Sequence, residues 1–349
     1  MTSKKLLILS VAALVLGVAA YVTTSGRKVA TPALGGKRVV EKFDAADVAK
    51  VEITGAKKLS LSAGDKGWTV DSLHGYPADV TKIRENILKL ADLKVGQIAR
   101  GRKIDSPVKV ELKGADGKVL ASLEMGAQHM SKPKGQMAQF GGGGYPDGRY
   151  VRYGEHVVLV KDPLDAFDGD FKKWSETRIA SVPSADVTAV TYSKKGGETV
   201  ELTRKDSSWT LKGLKDGEEL DTSKTYSLDS ALSYLDMNGV AAPGLSAAEL
   251  GFVTGSVYTV TLKDGKTYTA SVGNASGSDR YFKVFASFKP TGTNTADNAA
   301  IEKSVKEFNE KTGRWTYLIS SYSAESMQKS RKDLVKAKET PEKEKTEKK

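Results

Sequence analysis

VKVELKGADGKVLASLEMG (Val108–Gly126) and YTVTLKDGKTYTASVG (Tyr258–Gly273) decide the fold. In both, apolar and polar residues alternate up to an Asp-Gly pair, Asp116-Gly117 or Asp264-Gly265, and a second strand then runs to a closing glycine. Period-two alternation marks a half-buried strand, and Asp-Gly accepts the positive φ of a hairpin turn. The same hairpin is therefore written twice. Working outward, Ala46-Asp47-Val48-Ala49-Lys50-Val51 returns 139 residues later as Ala185-Asp186-Val187-Thr188-Ala189-Val190. Leu59-Ser60-Leu61 and Gly67-Trp68-Thr69-Val70 return as Val200-Glu201-Leu202 and Ser208-Trp209-Thr210-Leu211. Beyond the hairpins, Arg149-Tyr150 recurs as Arg280-Tyr281, and Trp174 with Ile179-Ala180-Ser181 recurs as Trp315 with Ile319-Ser320-Ser321. Landmarks that keep one order through two passes indicate an internal repeat.

Between the strands stands a helix pattern. Val80, Ile83, Ile87 and Leu90 share one face of a helix predicted over 78–93, with Pro77 suited to its first turn and Asp79 to its positive end. Leu228, Ala231, Leu232 and Leu235 predict its counterpart over 222–237, with Thr222 or Ser223 as the cap. The expected class is α+β: two tandem repeats of antiparallel sheet plus amphipathic helix, at 41–175 and 176–323, after an N-terminal transmembrane helix.

The ends differ in character from the body. The chain has 349 residues and a net charge of +11, of which Lys4, Lys5, Arg27 and Lys28 supply +4 and residues 325–349, with nine bases and six acids, supply +3. The remaining +4 is spread over the body, a poor match for a nucleic-acid surface. No Cys is present, which excludes disulfides, thiolate nucleophiles, Cys-ligated metals and an acylated lipoprotein Cys. After the start at 1–5, the run Leu6–Thr23 (LLILSVAALVLGVAAYVT) is uncharged and 18 residues long. As a helix it reaches roughly 27 Å, close to the hydrocarbon thickness of a bilayer. It is read as a signal anchor, with a signal peptide cleaved after Ala20 as the competing reading, and either sends the body across the bacterial inner membrane to the periplasmic side. Residues 24–40, with Pro32 and several glycines, are expected to be a linker, and 324–349 a charged disordered tail.

Tests for chemistry find little. Gly141–Gly144 lacks the Gly-Lys-Ser/Thr ending of a phosphate loop and reads as a hairpin connection. His74, His129 and His156 have no metal-ligand spacing. Asp162, Asp165, Asp168 and Asp170 do not fit a calcium loop and read as capping and solvation residues. No nucleophile elbow is present, so no catalytic, cofactor-binding or metal residue is assigned and no cofactor is expected. Tyr145, Arg149, Tyr150, Arg280 and Tyr281 form the candidate ligand or partner surface, in a cleft between the repeats.

Trp68-Thr69-Val70, Tyr76-Pro77-Ala78-Asp79 leading into a helix, Arg149-Tyr150 and the junction from Trp174 to Val187 together resemble the family called domain of unknown function 4340, over roughly residues 40–290. The resemblance implies a membrane-tethered extracytoplasmic bacterial protein, often encoded beside ABC transporters of the gliding-motility type. It implies no catalytic or binding residues, and the second repeat departs from it with Leu220-Asp221-Thr222-Ser223 where the first has Tyr76-Pro77-Ala78-Asp79. The expected function is that of a non-enzymatic, membrane-anchored accessory protein partnering an ABC-type transport or cell-envelope complex. The alternative is an envelope module that binds glycan or peptide.

Overall fold

The chain is described by a computed structural model over residues 34–132, 144–194, 196–225, 227–290 and 295–338. It divides into two compact units, Met1–Trp68 with Asp79–Trp174, and Thr69–Ala78 with Ser175–Lys349. Strands form where one side of the alternation is buried. In the first unit β1 (Lys50–Thr54) buries Val51 and Ile53, and β2 (Lys58–Gly64) buries Leu59 and Leu61. β3 (Gly67–Val70), β4 (Tyr76–Pro77) and β5 (Gln97–Ile98) of the same sheet are short, and β4, with Thr69 and Val70 of β3, is counted in the second unit. β6 (Val108–Lys113), β7 (Val119–Met130), β8 (Pro146–Tyr153) and β9 (His156–Val160) form a meander. Register lines up Leu61, Val51, Leu112 and Ala121 across four strands, and Leu59, Ile53, Val110 and Leu123 beside them. A slip of one residue would turn both rows to solvent, so burial itself sets the register.

The second unit repeats this scheme. Its main sheet contains β11 (Val187–Lys194), β12 (Thr199–Lys205), β13 (Ser208–Leu211), β16 (Gly239–Val240), β17 (Ser256–Leu262), β18 (Lys266–Ser276), β19 (Asp279–Phe288) and β20 (Tyr317–Ser320). Two small pairs complete the unit: β10 (Arg178–Ala180) with β15 (Leu235–Asp236), and β14 (Glu218–Leu220) with β21 (Val335–Ala337). Leaving out β4 at the edge, the first sheet runs β3-β2-β1-β6-β7-β8-β9-β5 and the second β13-β12-β11-β17-β18-β19-β20-β16. Strand for strand the order is the same: a three-strand meander, a short strand at the far edge, then a four-strand meander.

The expected helix does not recur, and this corrects the α+β reading of a sheet-plus-helix repeat. The described residues are mostly antiparallel sheet with three α-helices: α1 (Val80–Ala91), α2 (Thr295–Thr312) and α3 (Ser321–Glu325). Only α1 matches the repeat, and it buries Ile83, Asn86, Ile87 and Leu90 while Val80 is exposed. In the second unit, residues 222–224 make one 3-10 turn, and 227–234 make irregular turns that still bury Leu228 and Leu232. The carbonyls a helix would use there are taken by tertiary donors: Tyr258 Oη donates to Leu228 O, and Val182 N to Leu232 O.

Three further expectations meet the structure as follows. Among the described residues no helix is long and apolar enough to cross a membrane, and the predicted span Leu6–Thr23 lies outside them. The predicted linker ends early: Gly36 N and Val39 N donate to Val95 O and Leu93 O, and Val40 is buried. The predicted disordered tail is folded through residue 338, with Met327 and Leu334 fully buried and β21 paired with β14. Two large apolar side chains in a charged segment suffice, because each gains about 1.5–3 kcal/mol on leaving water.

Candidate functional site

β8 carries two of the five predicted surface residues, Arg149 and Tyr150, with Tyr145 just ahead of it, and the structure gives the three different fates. Arg149 is buried: its Nε donates to Gly126 O at 2.8 Å, its Nη1 to Pro163 O at 3.3 Å, and its Nη2 pairs with Asp168 at 2.6 Å. This guanidinium braces β7, β8 and the loop after β9 and offers no surface to a ligand, which corrects its assignment. Tyr145 is exposed, just past Gly144, where an added Cβ would lie 1.9 Å from Ser131 O. Glycine is needed there for the close approach in which Ser131 N donates to Tyr145 O. The rest of the glycine run, Gly141–Gly143, lies outside the described residues.

Tyr150, next along the strand and so on the opposite face from Arg149, forms one wall of a cluster. Arg102 lies over its ring at 4.9 Å, and His129 meets the ring edge-on at 5.9 Å. His129 is held in turn by Asp147, with Nδ1 2.5 Å from Oδ1. Arg102 belongs to the turn after β5, where Gly101 takes φ +71° and Arg102 N donates to Ala99 O at 3.2 Å. This turn borders a groove of about 490 Å³. Arg100, Arg102, Lys103, Arg152 and His156 line it, with the acids Asp105 and Glu155. Arg152 is paired with Glu124 at 2.5 Å.

In the second unit the predicted residues keep their place but not their chemistry. Arg280 Nη1 reaches Gly273 O at 3.5 Å, as Arg149 reaches Gly126, yet no carboxylate pairs with it among the described residues, and its buried Nε has no hydrogen-bond partner there. Tyr281 is half-buried, opposite Leu318 of β20. The five residues thus fall into separate sets, one in each unit.

Sequence reasoning missed the Arg100-Gly101-Arg102-Lys103 turn. Its signal, three cations within four residues, vanished when charge was averaged over the body. The acidic cluster is built into the fold: Asp162 accepts from Leu164 N, Asp165 from Gln128 Nε2, Asp168 pairs with Arg149, and Asp170 caps the turn Phe171–Lys173. The shifted titrating groups of the second unit's core are structural too. Burial raises the Tyr192 and Tyr317 phenols, and it raises the Asp229 carboxyl despite the Arg204 guanidinium 2.8 Å away. Arg204 also donates to Ser184 O and Ala185 O and lies over Trp209, so it pins the irregular 227–234 segment to the sheet. No group of His and acidic residues able to hold a metal ion occurs among the described residues.

The family model described as Domain of unknown function (DUF4340) matches residues 68–251, just over half of the chain. The chain belongs to the DUF4340 family. The match opens on Trp68 in β3 and contains the Tyr76-Pro77-Ala78-Asp79 segment, whose parts have clear structural duties. Tyr76 is buried, with its ring 5.0 Å from that of Trp315, and its hydroxyl donates to Glu176 O; Asp79 accepts from Thr81 N and Lys82 N as the cap of α1. The groove turn at 99–105 also falls inside the DUF4340 match. No curated protein and no solved structure matches the chain.

Proposed function

We propose that this DUF4340 chain is a non-enzymatic, membrane-tethered accessory protein of the bacterial envelope, with both units on the extracytoplasmic side, partnering an ABC-type transport or envelope complex. The observation that carries the reading is the uncharged run Leu6–Thr23, set between Lys4-Lys5 and Arg27-Lys28 ahead of two units with one strand order. The use of Arg149, Arg204 and the acidic cluster as internal braces supports a binding scaffold over a catalyst. The transporter partnership follows from the family resemblance. A second reading, an envelope ligand-binding module, is favoured by the basic groove of the first unit.

The test is in-cell crosslinking, detergent solubilisation, capture through a C-terminal tag and mass spectrometry. Recovery of ABC permease and ATPase subunits, lost when residues 1–28 are replaced by a cleavable signal, is the expected result. Capture of the protein alone, or with only glycan or peptide attached, would overturn the transport reading and put the binding module first.

A further inference from the structure

We propose that the groove beside Tyr150 binds a phosphate-bearing ligand, with Arg100, Arg102 and Lys103 as its cationic cradle. This inference stands on the first unit alone and does not depend on the tether. The shared strand order supplies an internal comparison. In the first sheet the far-edge strand β5 is followed by Ala99-Arg100-Gly101-Arg102-Lys103-Ile104-Asp105; in the second, β16 is followed by Ala241-Ala242-Pro243-Gly244-Leu245-Ser246, which carries no charge. The sheet therefore closes at this edge without cations. Arg100, Arg102 and Lys103 are exposed, so burial does not account for them, and three like charges within four residues repel one another.

The orientation of the turn is specific. Arg102 lies over the Tyr150 ring, that ring is met by His129, and His129 is held by Asp147, so the guanidinium rests on a ring that is itself held in place. A guanidinium gives paired donors to an oxyanion, and two more cations on the same turn suit a group with three acceptor oxygens better than a carboxylate with two. Asp105 and Glu155 also line the groove, and Arg152 is paired with Glu124; the turn itself sets three cations against the single acid Asp105, so the net positive charge of the lining comes from it. A space of about 490 Å³ holds a lipid headgroup or a sugar phosphate.

The test is calorimetric titration of the full-length chain in neutral detergent with inorganic phosphate, glycerol 3-phosphate and dihexanoyl-phosphatidylglycerol, with glucuronate as the carboxylate comparison. Phosphate probes are expected to bind, more weakly at high salt, and Arg100→Gln with Arg102→Gln is expected to weaken them about tenfold or more. Lys215→Gln with Lys224→Gln removes the same charge from exposed sites in the second unit and should leave binding unchanged. Lys103→Gln serves as an independent variant, and thermal melting reports folding. Binding of the lipid alone would support a headgroup as the source, and comparable binding of glycerol 3-phosphate would support a soluble phosphate. The proposal is overturned if no phosphate probe binds, if both double variants weaken binding alike, or if glucuronate binds as tightly.

Discussion

On the solvent-facing side of the first sheet, Glu52 stands directly opposite Glu111, a like-charge pair that is unfavourable by itself. Lysines make the arrangement tolerable. Lys50 lies 2.6 Å and Lys113 2.5 Å from Glu52, while Lys109 lies 2.7 Å and Lys113 3.7 Å from Glu111. The hydrogen bonds from Lys113 and then Lys50 hold the Glu52 carboxyl below its ordinary value of 4.5. A carboxyl whose folded value is depressed stabilises the fold above its unfolded value, and that contribution is lost as pH falls through the folded one. Comparing urea midpoints of the wild type and Glu52→Gln from neutral pH down to acid should therefore show a gap that is full above 4.5 and closes below it. With the side chain 27% exposed, the gap should be about 0.2–1 kcal/mol. A gap that grows on acidification would contradict the lattice.

At the scale of elements, the informative pair is α1 and the segment that should have matched it. Residues 80–91, VTKIRENILKLA, are mostly good helix formers behind an Asp79 cap that accepts from two backbone N–H groups. Residues 222–234, TSKTYSLDSALSY, are rich in Ser, Thr and Tyr, whose side chains compete for backbone bonds or lose rotamer freedom in a helix. Asp221 caps only a short turn there, accepting from Ser223 N. The apolar spacing was legible, but weak propensity left the backbone free to satisfy Tyr258 and Val182 instead. Asp79→Ala should lower stability by about 1 kcal/mol, read from the urea midpoint, with Asp79→Asn retaining most of it. Equal losses in both variants would show that charge, not cap geometry, is what Asp79 supplies. The long α2 was not anticipated because its anchors are polar. Asn309 both accepts from Ala286 N and donates to Ala286 O, closing an edge of β19 beyond its pairing with β20, while Phe308 meets Tyr268 edge-on at 5.1 Å.

For the molecule as a whole, the C-terminal segment is the element whose placement most changes the description. Asp221 N donates to Leu334 O, Lys338 N to Gly217 O, and Arg331 pairs with Glu218, so this charged stretch is stitched to the second unit. Ending the chain after Ser326 removes buried Met327 and Leu334 together with β21. Hydrogen exchange should then show faster exchange of the β14 amides, and urea unfolding a loss of about 3 kcal/mol or more. An unchanged exchange pattern would mean that the segment only rests on the surface.

What the sequence determined by itself is local and periodic: the strands with their turns, the order of strand landmarks from Ala46 to Arg149-Tyr150 that both sheets follow, and the capped helix α1. The last landmark does not hold, because Ile179-Ala180 lies in β10, paired with β15, while Ile319-Ser320 lies in β20 of the main sheet. Alternation and capping are properties of neighbouring residues, so they survive the loss of all spatial information. Only the tertiary structure decided what depends on residues distant along the chain. The carbonyls of 228 and 232 were claimed by Tyr258 and Val182, Arg149 was enclosed by Gly126, Pro163 and Asp168, and Arg102 of the turn after β5 was set over Tyr150. A polar group's partner is chosen by proximity in space, and no spacing along the sequence encodes it.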